Sequence, residues 1–105
     1  MSCRVTVIGD ATVVSLSGEL DLASVPSLRS VLVRAIDDAR GATVLVDLDG
    51  VSALDDTGLG IILGAAGRAR EAGGELVLVA TSARLRERFA STGFSRAIEV
   101  RDSIR

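Results

Sequence analysis

Histidine, lysine, asparagine and glutamine are missing from this 105-residue chain, and its only aromatic side chains are Phe89 and Phe94. Without histidine there is no imidazole to act as a general base or to hold a metal. Two aromatic rings are too few to build a base-stacking platform for single-stranded nucleic acid. The formal net charge of -2 leaves no basic excess of the kind a nucleic-acid surface needs. Cys3 is the one cysteine, so no intramolecular disulfide can close, which fits a reducing compartment. It is expected just ahead of the first strand, as an exposed bystander thiol. Met1-Ser2-Cys3-Arg4 leads directly into an alternating pattern with no signal-like apolar region. The longest uncharged stretch beyond the acidic pair at 55 and 56 is Thr57–Gly67, eleven residues with four glycines. A bilayer span takes about 20. These absences point to a cytoplasmic chain with no membrane and no direct nucleic-acid partner.

What is present suits one globular domain covering residues 1–105: 48% hydrophobic and 25% charged residues supply both a core and a surface. Charge is uneven. Residues 1–60 hold four arginines against nine acids, a net of -5, and residues 61–105 hold eight against five, a net of +3.

Arg4–Ile8 and Thr12–Leu16 alternate around Gly9-Asp10, which predicts an antiparallel hairpin with a type II′ turn. Ser17–Leu22 follows as a strand end or short loop bearing Glu19 and Asp21. Ser24 and Pro26 signal a helix start, and Leu28, Leu32, Ala35, Ile36 and Ala39 continue at helical spacing to Gly41. Thr43–Val46 reads as a strand buried on both faces, ending at Asp47. A second helix begins near Asp56, with Leu59, Ile62, Leu63 and Ala66 inward, and closes at Gly73-Gly74. Leu76–Ala80 is another buried strand, Ser82–Thr92 a shorter helix with Leu85 and Phe89 inward, and Ala97–Val100 a candidate last strand. Such alternation predicts an α/β fold with a mixed, mostly parallel sheet, an N-terminal antiparallel hairpin and about three main helices.

The informative segment is Val44 to Gly60, where a buried strand ends, a loop follows and a helix begins. Ends of parallel strands facing helix N-termini gather functional groups, and a helix start favours anions. Asp55-Asp56-Thr57-Gly58-Leu59-Gly60 resembles the Asp-Ser-Ser/Thr-Gly-Leu-Gly motif of bacterial anti-anti-sigma factors, the small STAS-domain proteins. Gly18-Glu19-Leu20-Asp21, Val46-Asp47-Leu48, Gly73-Gly74-Glu75-Leu76 and Gly93-Phe94 match further landmarks, so the likeness runs along essentially the whole chain. The resemblance implies a non-enzymatic switch protein without a cofactor. Members of that family bind an anti-sigma factor, usually a serine kinase, and so free a sigma factor; phosphorylation of the first motif serine ends the binding. It further implies a contact surface of Glu19, Asp21, Asp55, Asp56, Thr57, Gly58, Leu59 and Gly60 with the exposed face of the second helix, on a monomer or weak homodimer.

At the switch position this chain carries Asp56 in place of serine. Three readings follow. Asp56 is a plain N-cap, since Asp and Ser are near-equal caps worth about 1 kcal/mol. Or it is a standing partial mimic of phosphoserine, supplying -1 where the phosphoester supplies about -1.5 to -2. Or the acceptor has moved to Thr57, against the repulsion of Asp55 and Asp56.

Other classes are weaker. Adjacent Asp55 and Asp56 have no nucleophile or base beside them, so no catalytic residue is assigned. No metal site is assigned either. Gly58 and Gly60 lack the third glycine and the lysine of a phosphate loop, which counts against a nucleotide sensor. A scaffold subunit of a signalling or lipid-transport assembly is the alternative function. Gly60, Gly64 and Gly67 are expected to pack the second helix closely on the sheet, and Arg84, Arg86 and Arg88 to form a solvated basic face.

Overall fold

The structure, a computed structural model, describes residues 1–104. The N-terminal hairpin forms as the pattern predicts. β1 (Ser2–Ile8) and β2 (Ala11–Leu20) pair antiparallel, with Ile8 opposite Ala11 across Gly9-Asp10. Gly9 has φ +61° while Asp10 keeps a negative φ, the signature of a type II′ turn. Cys3 lies within β1 and is exposed.

Three strands then add in parallel: β3 (Thr43–Leu54), β4 (Glu75–Val79) and β5 (Val100–Arg101), in the spatial order β1-β2-β3-β4-β5. The connections between these parallel strands carry α1 (Val25–Ala39), α2 (Asp56–Glu71), and the pair α3 (Ala83–Ser91) and α4 (Phe94–Ala97). The main core lies between sheet and helices, where Val14, Leu16, Val46, Leu48 and Leu78 meet Leu28, Leu32, Ile36, Ile62 and Phe89. Val13, Leu45, Val77 and Val79 form a second buried cluster, with Ala11 and Ile104 against it. Burial on both faces is why β3 opens, and β4 runs, as nearly unbroken apolar sequence.

Three expectations need correction. Residues 48–54 are strand, not loop: β3 runs on to Leu54, and β2 pairs with it as far as Leu20. Between Ser15 and Ser17 the partner on β3 moves from Asp47 to Gly50, and between Gly18 and Glu19 it moves from Val51 to Ala53. Each step inserts one extra residue into β3. These bulges destroy the period-two alternation by which a strand is recognised. Likewise, Ala97 ends a helix, and the last strand is Val100–Arg101. Phe94, Ala97 and Ile98 recur at helical spacing, and the Phe94 ring stacks on Phe89 at 5.3 Å between centroids, tying α4 to α3.

The third correction concerns α2. Its buried face is Gly58, Leu59, Ile62, Ala65, Ala66 and Ala69. A Cβ at Gly60, Gly64 or Gly67 would meet nothing within 4 Å, so these glycines do not serve packing on the sheet. Leu63, expected inward, is 45% exposed.

Candidate functional site

The parallel pairing of β2 with β3 brings Leu20 opposite Leu54, so the chain leaving each strand emerges at one corner. The Asp55 amide donates to the Leu20 carbonyl at 3.2 Å, continuing the ladder past the end of the strands. Asp55 itself is extended, with φ -91° and ψ 176°, and its Oδ1 accepts from the Gly58 amide at 3.0 Å. That is the geometry of an N-cap. The cap of α2 is therefore Asp55 rather than Asp56, which removes the reading of Asp56 as a plain cap. Asp56 stands one residue later, in the first turn, where negative charge faces the positive end of the helix dipole.

Gly58 explains why no larger residue fits beside the cap. A Cβ there would lie 2.9 Å from Leu54 Cδ1 and 3.2 Å from the Leu20 carbonyl oxygen. The first turn of α2 is thus pressed onto the ends of β2 and β3. Gly58 and Leu59 face the interior, whereas Asp55, Asp56, Thr57 and Gly60 are exposed. Of the eight residues expected at the contact surface, these two support it from beneath.

Glu19 is exposed and Asp21 half-buried. Asp21 Oδ1 accepts from the Ser24 amide at 3.2 Å and lies 3.1 Å from Ser24 Oγ, which also donates to the Glu19 carbonyl at 2.9 Å. Ser24, expected to cap α1, instead turns its hydroxyl back onto this short helical turn, Leu22–Ser24. Asp21 is therefore held in place by its own loop, and Glu19 leaves its side chain outward.

Two arginines complete the corner, where the sequence had them on a solvated helix face. Asp49 on β3 accepts from the Thr81 amide at 2.7 Å and from Thr81 Oγ1 at 3.0 Å, which pins the turn before α3. From there α3 delivers Arg84 and Arg88 toward the start of α2. Arg84 Nη2 donates to the Ser52 carbonyl at 3.3 Å, and Arg88 Nη2 donates to Asp56 Oδ1 at 3.2 Å. A cleft of about 420 Å³ lies between these two arginines and the 52–56 segment. Arg88 Nε is shielded from solvent without an acceptor, so among the described residues the guanidinium bonds through Nη2, to Asp56. The signal in the sequence was the four-residue spacing of Arg84 and Arg88, which puts both on one helix face. The expected solvated basic face is in fact turned partly onto the acidic corner.

The Asp56 side chain stays 96% exposed despite this pair. A carboxylate so open to water gains little stability from its counterion. What Arg88 contributes is local charge balance: the first turn of α2 presents a carboxylate with a guanidinium beside it.

The sequence profile of the STAS domain matches residues 2–105. An anti-sigma-B factor antagonist of Bacillus subtilis is 37% identical over 87 residues, covering 83% of this chain and 78% of that protein. The anti-sigma-B factor antagonist of Listeria monocytogenes is 36% identical over 87 residues, covering 83% of this chain and 75% of its own. In three dimensions, the crystal structure of an anti-sigma factor antagonist from Mycobacterium paratuberculosis superposes with a TM-score of 0.86 at 24% identity. That superposition covers 98% of this chain and 86% of the other, and speaks to the fold. A hairpin-led sheet, a capped glycine-bearing helix after its central strand, and a profile match from residue 2 onward place this chain in the STAS domain family.

Proposed function

We propose that this chain is an anti-sigma factor antagonist. It docks an anti-sigma factor through the acidic corner, and the sigma factor is released. The observation that carries this is the division of labour along Asp55–Gly60. Asp55 and Gly58 hold the helix start in place, and that leaves Asp56 and Thr57 exposed at the switch position of the motif. The relatives in Bacillus subtilis and Listeria monocytogenes, above 30% identical, are antagonists by name. In this reading residues 1–105 act as one cytoplasmic domain without a cofactor or a catalytic step of their own, and the partner is of the serine-kinase type.

Asp56 then serves as a permanent carboxylate where the family's switch alternates between hydroxyl and phosphoester. Arg88 beside it offsets part of that charge, and the carboxylate's single charge is already less than the about -1.5 to -2 of a phosphoserine. Thr57, exposed in the same turn, is the hydroxyl that the 55–60 motif itself retains. Asp56→Ser tests the assignment against a co-encoded anti-sigma kinase in a titration with and without ATP. Tighter binding that ATP then abolishes supports Asp56 as the mimic. Stable phosphate on Thr57 of the unaltered protein, located by mass spectrometry, moves the switch there. No binding to any such kinase, by either protein, overturns the proposal.

A further inference from the structure

At the far end of the sheet from α3, β1 presents a free edge. It is seven residues long, runs against β2 without a bulge, and is exposed along its whole length. Its only charge is Arg4, and it has no proline. Natural sheets blunt such edges with charges, proline, bulges or short strands. The opposite edge of this sheet does so: β5 has two residues. Val5, Val7 and Ile8 on β1 are 53%, 70% and 54% exposed and sit together on this edge.

The hairpin register decides which backbone groups are free. Residues flanking a two-residue turn form a hydrogen-bonded pair, and the pattern alternates along the strands. Ile8–Ala11 is that pair, followed by Thr6–Val13, Arg4–Ser15 and Ser2–Ser17. Cys3, Val5 and Val7 therefore aim their amides and carbonyls away from β2. Their side chains lie on the helix-bearing face, because Val5 is opposite Val14 and Cys3 opposite Leu16, both members of the main core.

We infer that this edge pairs antiparallel with β1 of a second copy of the chain, about a two-fold axis through Val5. An axis there maps Ser2–Ile8 onto itself, so all seven residues of the strand are used; moving it either way leaves residues unpaired. Val5 then meets its own copy and Cys3 meets Val7, and each such pair exchanges two hydrogen bonds because these are the residues with free groups. The apolar row Cys3-Val5-Val7 continues into its copy, and Arg4 faces Thr6 rather than another Arg4. An axis through Arg4 would set like charges opposite each other, which is destabilising. Sterically the arrangement is open. α1 lies over β2 and β3, so at least three inter-strand spacings, about 14 Å or more, separate the two α1 helices, against a helix diameter of about 10 Å. The acidic corner at the end of β3 is two strands away from this edge and stays accessible. The inference is independent of the partner proposed above.

Sedimentation equilibrium of the full chain under reducing conditions, from micromolar to millimolar concentration, tests the pairing. The mass should rise toward twice that of the chain. Val5→Pro removes an outward amide, and Val7→Lys puts a charge on the row; each should weaken dimerisation about tenfold or more. Their circular dichroism should match the parent. A monomer at every concentration overturns the inference, as does a dimer indifferent to both substitutions. Open-ended growth overturns the two-fold. Oxidative cross-linking checks the register. In a Cys3→Ser background, Val5→Cys should link to its copy, because paired Cα atoms about 5.5 Å apart can be bridged. Faster linking by Thr6→Cys in that background would overturn the Val5 axis.

Discussion

The corner where β3 becomes α2 and the edge formed by β1 are both exposed, yet they are built in opposite ways. At the corner several polar side chains have an assigned partner. Asp55 caps the helix, Asp21 closes its own turn, Arg84 holds the Ser52 carbonyl and Arg88 reaches Asp56. Exposure there is restricted to a few side chains on a rigid base. At the edge nothing is assigned: a whole strand leaves alternate backbone groups and an apolar row open. A surface that must be read residue by residue needs the first construction. A surface recognised mainly by its backbone can use the second.

Substitutions should therefore separate groups that support the corner from groups it displays. The largest effect is expected at Gly58, where any added side chain is driven into Leu54 and the end of β2. Gly58→Val should destabilise the fold by about 1–3 kcal/mol through overpacking. In a thermal melt that is a drop of about 4–8 °C for each kcal/mol in a domain of this size. A melting temperature within a degree or two of the parent would mean the helix start is not pressed onto the strands.

Next comes the contrast between adjacent aspartates. Asp55→Ala removes the cap and should lower stability by about 1 kcal/mol. Asp56→Ala loses an exposed ion pair and an exposed charge in the first turn, both weak in water, and its change should stay within about 0.5 kcal/mol. Urea denaturation of both variants measures the contrast, and equal losses would erase it.

The smallest effect runs the other way. Gly64 is exposed and has open space where a Cβ would stand. Gly64→Ala should stabilise by up to about 1 kcal/mol through helix propensity. If the same variant binds the proposed anti-sigma partner less well, the bare helix backbone at Gly60 and Gly64 belongs to the docking face.

Much of this was legible in the chain itself. The hairpin turn follows from Gly9-Asp10, since glycine takes the positive φ that a type II′ turn requires. The α1 face follows from Leu28, Leu32, Ala35 and Ile36, and the double burial of β3 and β4 from their apolar runs. The motif at 55–60 marks the junction of β3 and α2. Less legible was anything that depended on a distant partner. The outer half of β3 has no alternation because its bulges exist only in relation to β2. The placing of Leu63 and of the α2 glycines depends on how that helix rotates over the sheet. A basic helix face looks solvated until its neighbours are known.

Local sequence thus determined which segments fold, with what periodicity and around which turns, because those properties are set by neighbours a few bonds away. Tertiary structure alone decided that Asp55 and not Asp56 caps α2, that Arg88 comes from 32 residues away to meet Asp56, and that among the described residues β1 has no strand on one side. The reason is physical: a carboxylate's partner and a strand's free edge are fixed by where the sheet brings distant segments together, and no local preference encodes that.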